Sequence, residues 1–218
     1  MDLRTLGWDD ERAAQLAALQ GAAAARDEPI TFVAARVTAE HLGALKVSDE
    51  RGERWGELSG RLRHEARDRR DLPAVGDWVA IADADAGGAA VIHAILPRRT
   101  CFLRLAAGER VEPQVIAANV DVVLIVTSAN ADFNVRRLER YLTAVRSSGA
   151  RPVVVVNKID LADDQATWRQ ALATLAADAG PIEVATVSAT RGDGIDAVRA
   201  HLGAGVTLAL VGSSGVGK

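Results

Sequence analysis

The chain has 218 residues, 49% hydrophobic and 25% charged, a size and composition that fit one large or two small globular domains. Its 26 Lys and Arg against 29 Asp and Glu leave a net charge of -3, which excludes a chain-wide polycation on nucleic acid and confines any RNA contact to a local patch. The single cysteine, Cys101, excludes an internal disulfide and a Cys-rich zinc cluster within this sequence, and the four histidines lack ligand spacing, so no metal-binding residue is assigned.

Residues 1–28 read as an N-terminal helical segment. Asp9 is placed to cap it, Asp10 and Glu11 favour its first turn, Leu16 and Leu19 share a face, and Gly21 marks its end. The opening Met1-Asp2-Leu3-Arg4 leads into these acids and not into an apolar targeting core. No run approaches the roughly 18 apolar residues of a membrane span. The expectation is a cytoplasmic protein without a membrane partner.

Residues 29–97 carry five short runs separated by Gly, Asp and Ser: Thr31-Phe32-Val33, Ala44 to Val47, Arg54 to Leu58, Asp77 to Ile81 and Ala90 to Ile95. Five strands in about 70 residues predict a small closed β barrel of the OB type, which often binds oligonucleotides, or an SH3-like barrel that would read much the same. Trp55 and Trp78 could serve as base-stacking platforms, but aromatic residues of a small barrel usually fill its interior, and Trp78 is expected to do so. Residues 98–112, bracketed by Pro97 and Pro113, read as a linker. In residues 113–218 the rhythm becomes α/β. Asp121 to Val126 and Pro152 to Val156 are continuous apolar runs suited to a parallel sheet, followed by Glu183 to Val187 and Val206 to Val211. Helical spacing fills 135–147, 165–177 and 195–202 between them.

Three motifs fall at the ends of these strands. Gly212-Ser213-Ser214-Gly215-Val216-Gly217-Lys218 satisfies G-x-x-x-x-G-K, a phosphate-binding loop whose glycines let backbone N–H groups point inward at phosphate oxygens while Lys218 meets the β- and γ-phosphates. Asn157-Lys158-Ile159-Asp160 follows the second strand. The Asp160 carboxylate can accept both donors of guanine, N1–H and the exocyclic amine, a pair adenine lacks. Asn157 would tie the loop and the opposite edge of the base, and the Lys158 stem would cover the ring. Ser188 and Ala189 follow the third strand, where a backbone N–H could bond the guanine carbonyl oxygen.

Together these motifs resemble the Ras-like GTPases, but in permuted order, with the base-reading residues ahead of the phosphate loop. A circularly permuted P-loop GTPase behind a small barrel resembles the ribosome small-subunit-dependent GTPase A family, RsgA. Gly76-Asp77-Trp78-Val79, Pro97-Arg98-Arg99-Thr100 and Val115 to Asp121, entering the GTPase sheet, carry the resemblance further. It implies a GTPase that acts in late maturation of the small ribosomal subunit, contacts rRNA through the barrel and is stimulated by the subunit. It also implies GTP or GDP with Mg²⁺, and zinc in the family, as cofactors. Family members continue past the lysine with a Mg²⁺-binding Ser or Thr, two switch segments and a Cys/His zinc lobe. The catalytic residues are therefore unassigned, the α/β fold is expected to be incomplete at its C-terminus, and the 218 residues are expected to be a fragment inactive by itself.

Arg61, Arg63, Arg67, Arg69 and Arg70, in the connection between the third and fourth barrel strands, are candidates for rRNA phosphates, the alternative being a solvated loop with internal Arg–acid pairing. Arg98 and Arg99, with Arg104, form a second cluster. The competing reading is a non-catalytic RNA-binding module with an incomplete guanine-nucleotide site. A P-loop ATPase comes third, because it would not need Asn157 and Asp160. A monomer is expected.

Overall fold

The computed structural model describes residues 2–83, 88–105, 113–130, 133–162 and 165–218. The chain divides into two units, Met1–Asn119 and Val120–Lys218.

In the first unit Asp9 caps helix α1, Asp10–Ala24, by accepting the Arg12 backbone N–H at 3.0 Å. Five strands follow: β1 Val33–His41, β2 Ala44–Asp49, β3 Gly52–Leu58, β4 Trp78–Asp83 and β5 Ala90–Ile95. They close in the order β1-β2-β3-β5-β4, with β4 pairing back onto β1. The β3–β5 pair is parallel and the others are antiparallel, the five-stranded closure expected of an OB-like barrel. Val37, Leu45, Val47, Val79, Ile81 and Ile92 fill the interior. Strand β1 begins at Val33 and runs well past the apolar run that suggests it. A register shift between Val37 and Ala39 breaks the alternation of its later residues, so the pattern there loses its period.

Trp78 is buried as expected but packs elsewhere. It joins Leu3, Ala34 and Leu96 in a second cluster covered by Trp8, Leu16 and Leu19. Its ring lies 4.9 Å from that of Trp8, and the Arg12 and Arg36 guanidinium carbons stand 5.7 and 5.4 Å from its centroid. The amphipathic face of α1 is thus used against the outside of the barrel wall.

Between β3 and β4 the chain forms a short helix α2, Gly60–Glu65, and a 3-10 turn, Arg69–Asp71. Beyond the barrel, β6 Cys101–Leu105 pairs antiparallel with β7 Pro113–Ala118 as a two-stranded sheet. This corrects the assignment of 98–112 to a linker and of Val115 to the entrance of the α/β sheet. Val115 and Ala118 pack on Ala74, and the Ala118 N–H donates to the Val75 carbonyl at 2.9 Å, so the first unit extends to Asn119. Residues 106–112 of the expected linker, and the Arg104 side chain, lie outside the described residues.

The second unit is a parallel sheet in the order β10-β9-β8-β11, from β8 Val122–Ser128, β9 Arg151–Asn157, β10 Glu183–Thr186 and β11 Leu208–Gly212. Every residue of β8 is buried, which explains its unbroken apolar run. Helix α3, Val135–Ser147, buries Leu138, Leu142 and Val145; α4 is Gln165–Ala179 and α5 is Ile195–Arg199. Among the described residues no helix is long and apolar enough to cross a membrane.

Candidate functional site

The carboxyl ends of β9, β10 and β11 bring the three motifs together through one side chain. Asn157, the last residue of β9, is only 3% exposed. Its Nδ2 donates to the Val216 carbonyl at 2.9 Å, inside the phosphate-loop motif. Its Oδ1 accepts the Lys158 N–H at 2.8 Å and the Ala189 N–H at 3.0 Å. Asn157 thus links its own turn, the Ser188–Ala189 loop and the phosphate-loop motif, a wider tie than the single loop expected of it.

Lys158 adopts φ 61°, turning the chain sharply into a 3-10 turn, Ile159–Leu161, that carries Asp160 to the surface. The Asp160 carboxylate has no hydrogen-bond or ion-pair partner among the described residues, so both its oxygens can accept. Ser188 is fully buried. Its N–H donates to the Asp193 carbonyl at 2.9 Å, and its Oγ lies 3.3 Å from Thr190 Oγ1. The amides of Ser188 and Ala189 are thus both engaged, and the donor expected for a guanine carbonyl is not displayed by either in this arrangement.

The phosphate-loop motif is anchored by Val216, buried in a cluster with Val122, Val153, Val155 and Val187. Ser214, Gly215, Gly217 and Lys218 are exposed around it. Gly217 has φ 83°, and a Cβ there would stand 2.6 Å from Asn157 Nδ2. A Cβ on Gly212 would meet the Val126 carbonyl oxygen at 2.3 Å. Both glycines are thus demanded by close approach of neighbouring atoms. Lys218 Nζ donates to the Gly212 and Ser213 carbonyls at 2.6 and 2.8 Å, folding the ammonium over its own loop. Arg137, on α3, donates to Ser213 Oγ. The sequence reading does not single out Arg137, because 76 residues separate it from its partner and no local pattern signals the contact.

The arginines proposed for RNA sort into two groups. Arg61 pairs with Glu65 at 2.8 Å and Glu28 at 3.3 Å, and Arg70 pairs with Asp68 at 2.7 Å. The hydrogen bond with Asp68 holds the Arg70 guanidinium above its ordinary pKa. Arg98 donates to both oxygens of fully buried Asp77, at 2.8 and 2.7 Å, and to the Arg70 and Leu72 carbonyls at 2.6 and 2.8 Å. Burial opposes its charge, but Asp77 outweighs burial and raises its pKa. Arg99 pairs with Glu11 and with Asp9 at 2.7 Å. Arg63, Arg67 and Arg69 are exposed, and their guanidinium groups have no carboxylate partner among the described residues, although the Arg67 backbone N–H donates to Asp71 at 2.9 Å. Arg98 and Arg99 are therefore held inside the first unit by acids, not displayed as a second cationic patch.

Comparison with known proteins places this geometry among relatives. The family model described as RsgA GTPase matches residues 95–218. The chain is 47% identical over 226 aligned residues to the small ribosomal subunit biogenesis GTPase RsgA of Opitutus terrae, covering 100% of this chain and 59% of that protein. It is 40% identical over 212 residues to the protein of the same name from Methanosarcina acetivorans, covering 97% and 53%. The chain thus spans little more than half the length of these relatives. Among solved structures, YjeQ from Thermotoga maritima matches with a TM-score of 0.65 at 26% identity, over 86% of this chain and 63% of that one. YloQ, described as a circularly permuted GTPase, matches with a TM-score of 0.60 at 23% identity, over 86% and 62%, and supports the fold alone.

Proposed function

Because the chain belongs to the RsgA GTPase family, we propose that it forms the guanine-nucleotide-binding and RNA-binding part of a GTPase that matures the small ribosomal subunit late in its assembly. The observation that carries this reading is the convergence of three loops on Asn157, followed in the chain by the Asp160 carboxylate, which has no partner among the described residues. Guanine N1–H and its exocyclic amine donate to Asp160, while the Lys158 stem covers the ring. Backbone N–H groups of residues 212–218 receive phosphate oxygens, and Lys218 exchanges its two loop carbonyls for the β- and γ-phosphates. Mg²⁺, when bound, would supply charge neutralisation on the phosphates. Among the described residues no group of His, Cys, Asp and Glu fits a metal ion, so neither Mg²⁺ nor zinc is assigned ligands from that set. No residue of this chain is assigned to the hydrolytic step. The partners are the small subunit and its rRNA, reached by Arg63, Arg67 and Arg69, whose guanidinium groups meet no acid among the described residues; the setting is the cytoplasm, and the protein acts as a monomer.

Competition between GTP, GDP and ATP for a fluorescent guanine nucleotide tests the reading. Guanine nucleotides should displace the probe and ATP should not. Asp160→Asn keeps one carbonyl oxygen for N1–H but sets its amide against the exocyclic amine, and should weaken GDP binding about tenfold or more, from roughly 1.5 kcal/mol for one charged hydrogen bond. It should favour xanthosine diphosphate, whose 2-carbonyl accepts from the new amide. Equal competition by ATP, or an Asp160→Asn chain that keeps its GDP affinity, would refute it.

A further inference from the structure

On the first unit, a groove of about 740 Å³ runs from the β1–β2 turn, past β3, to the connection between α2 and β4 and to β7. Leu45, Leu58, Pro73 and Val115 supply an apolar lining, and Arg63 and Arg69 also line it. Within the connection between β3 and β4 these are two of the three arginines whose guanidinium groups no acid neutralises among the described residues. Trp55 lines the same groove with 48% of its surface exposed, although a tryptophan on a small barrel is ordinarily expected in the core. Its cross-strand neighbour Lys46 places Nζ 5.5 Å from the ring centroid, so a cation already borders the indole. Glu40 and Glu57 line the groove as well and can accept from the amino groups of a base, which a duplex keeps paired.

A flat exposed aromatic, an apolar floor and unpaired guanidinium groups in one concavity match the chemistry of an unpaired nucleotide. The base offers a face for stacking and donors for the acids, and its flanking phosphates offer anions. A duplex buries those base faces in its own stack. We propose that this groove holds an unstacked nucleotide of single-stranded RNA, its base on Trp55 and its phosphates on Arg63 and Arg69. The inference rests on the RNA-binding reading of the barrel and names the form of RNA and the residue that selects it.

The test measures binding of the 218-residue chain to a labelled ten-nucleotide single strand, to a duplex of the same sequence and to isolated small ribosomal subunits, across a salt series. Trp55→Leu should weaken single-strand binding about tenfold or more, from the usual worth of a base–aromatic stack, without changing the salt slope. Trp55→Phe, which retains a stacking face, should recover most of the loss. Arg63→Gln with Arg69→Gln should reduce the slope of log affinity against log salt by about 1.4, at about 0.7 per phosphate on a single strand. Arg61→Gln with Arg70→Gln should leave it nearly unchanged, since both are already paired. Subunit binding that persists while Trp55→Leu behaves as the parent overturns the stacking site and leaves the wider reading standing. Equal recovery by Leu and Phe, or tighter binding to the duplex than to the single strand, overturns it as well. Loss of both RNA and subunit binding in the parent chain overturns both.

Discussion

Replacing Asn157 with Ala removes hydrogen bonds to three loops at once. Val216 O loses a donor at 2.9 Å, and the Lys158 and Ala189 amides lose an acceptor at 2.8 and 3.0 Å. A typical hydrogen bond contributes about 1 kcal/mol, so losing three, one buried and two part-buried, gives about 3 kcal/mol. For a unit the size of Val120–Lys218, each kcal/mol moves the melting midpoint by about 4–8 °C, so its transition should fall by roughly 12 °C or more. Scanning calorimetry reads that transition, and amide hydrogen exchange locates it, since the Lys158 and Ala189 amides should lose protection together. Asn157→Asp separates the two sides of the tie. The carboxylate still accepts both amides but sets a negative oxygen against the Val216 carbonyl, so protection should persist at Lys158 and Ala189 and fall in the phosphate loop. An Asn157→Ala chain that melts within about 2 °C of the parent, with both amides protected, would refute the view of Asn157 as the central tie.

Arg98→Ala should destabilise the first unit by about 3–5 kcal/mol, because it leaves Asp77 buried without its cation; urea unfolding measures this, and a loss below about 1 kcal/mol would count against it. Cys101 should react slowly with iodoacetamide at pH 8. Burial pushes its thiol above the ordinary value of 9.0, although the neighbouring Arg98 pulls the other way. The raised pKa favours the neutral thiol in the folded chain, so alkylation should lag the urea-unfolded chain several-fold at pH 8 and catch up only well above pH 9; equal rates at pH 8 would contradict it.

The sheet of the second unit is legible because its signals are local. Leu138, Leu142 and Val145 repeat at helical spacing, and β8 is apolar from Val122 to Val126 because both its faces are covered. The motifs are legible because each lies within seven consecutive residues or fewer. What the sequence hides are partnerships across distance. Arg98 reads as a free cation until Asp77, 21 residues earlier, is folded against it. Arg61 and Arg70 resemble Arg63 and Arg69 in composition, and only the geometry of α2 and the following turn decides which of them meets an acid. The β6–β7 hairpin is masked for a different reason. Pro113 reads as a boundary, whereas it stands at the first position of a strand, where proline is tolerated.

The position of β11 in chain order has a consequence for assembly. It pairs in parallel with β8, joining Leu208 to Val122 and Gly212 to Val126 across a long stretch of intervening chain. Strands β8, β9 and β10 can pair among themselves as they emerge, whereas β11 must close a loop that contains all of them. The turn after β9 therefore acquires its framework before the loop after β11 exists to be held. During synthesis the Asn157 amide waits for Val216 as its last partner, so the two halves of the proposed nucleotide site are completed in the reverse of the order in which an unpermuted chain would make them.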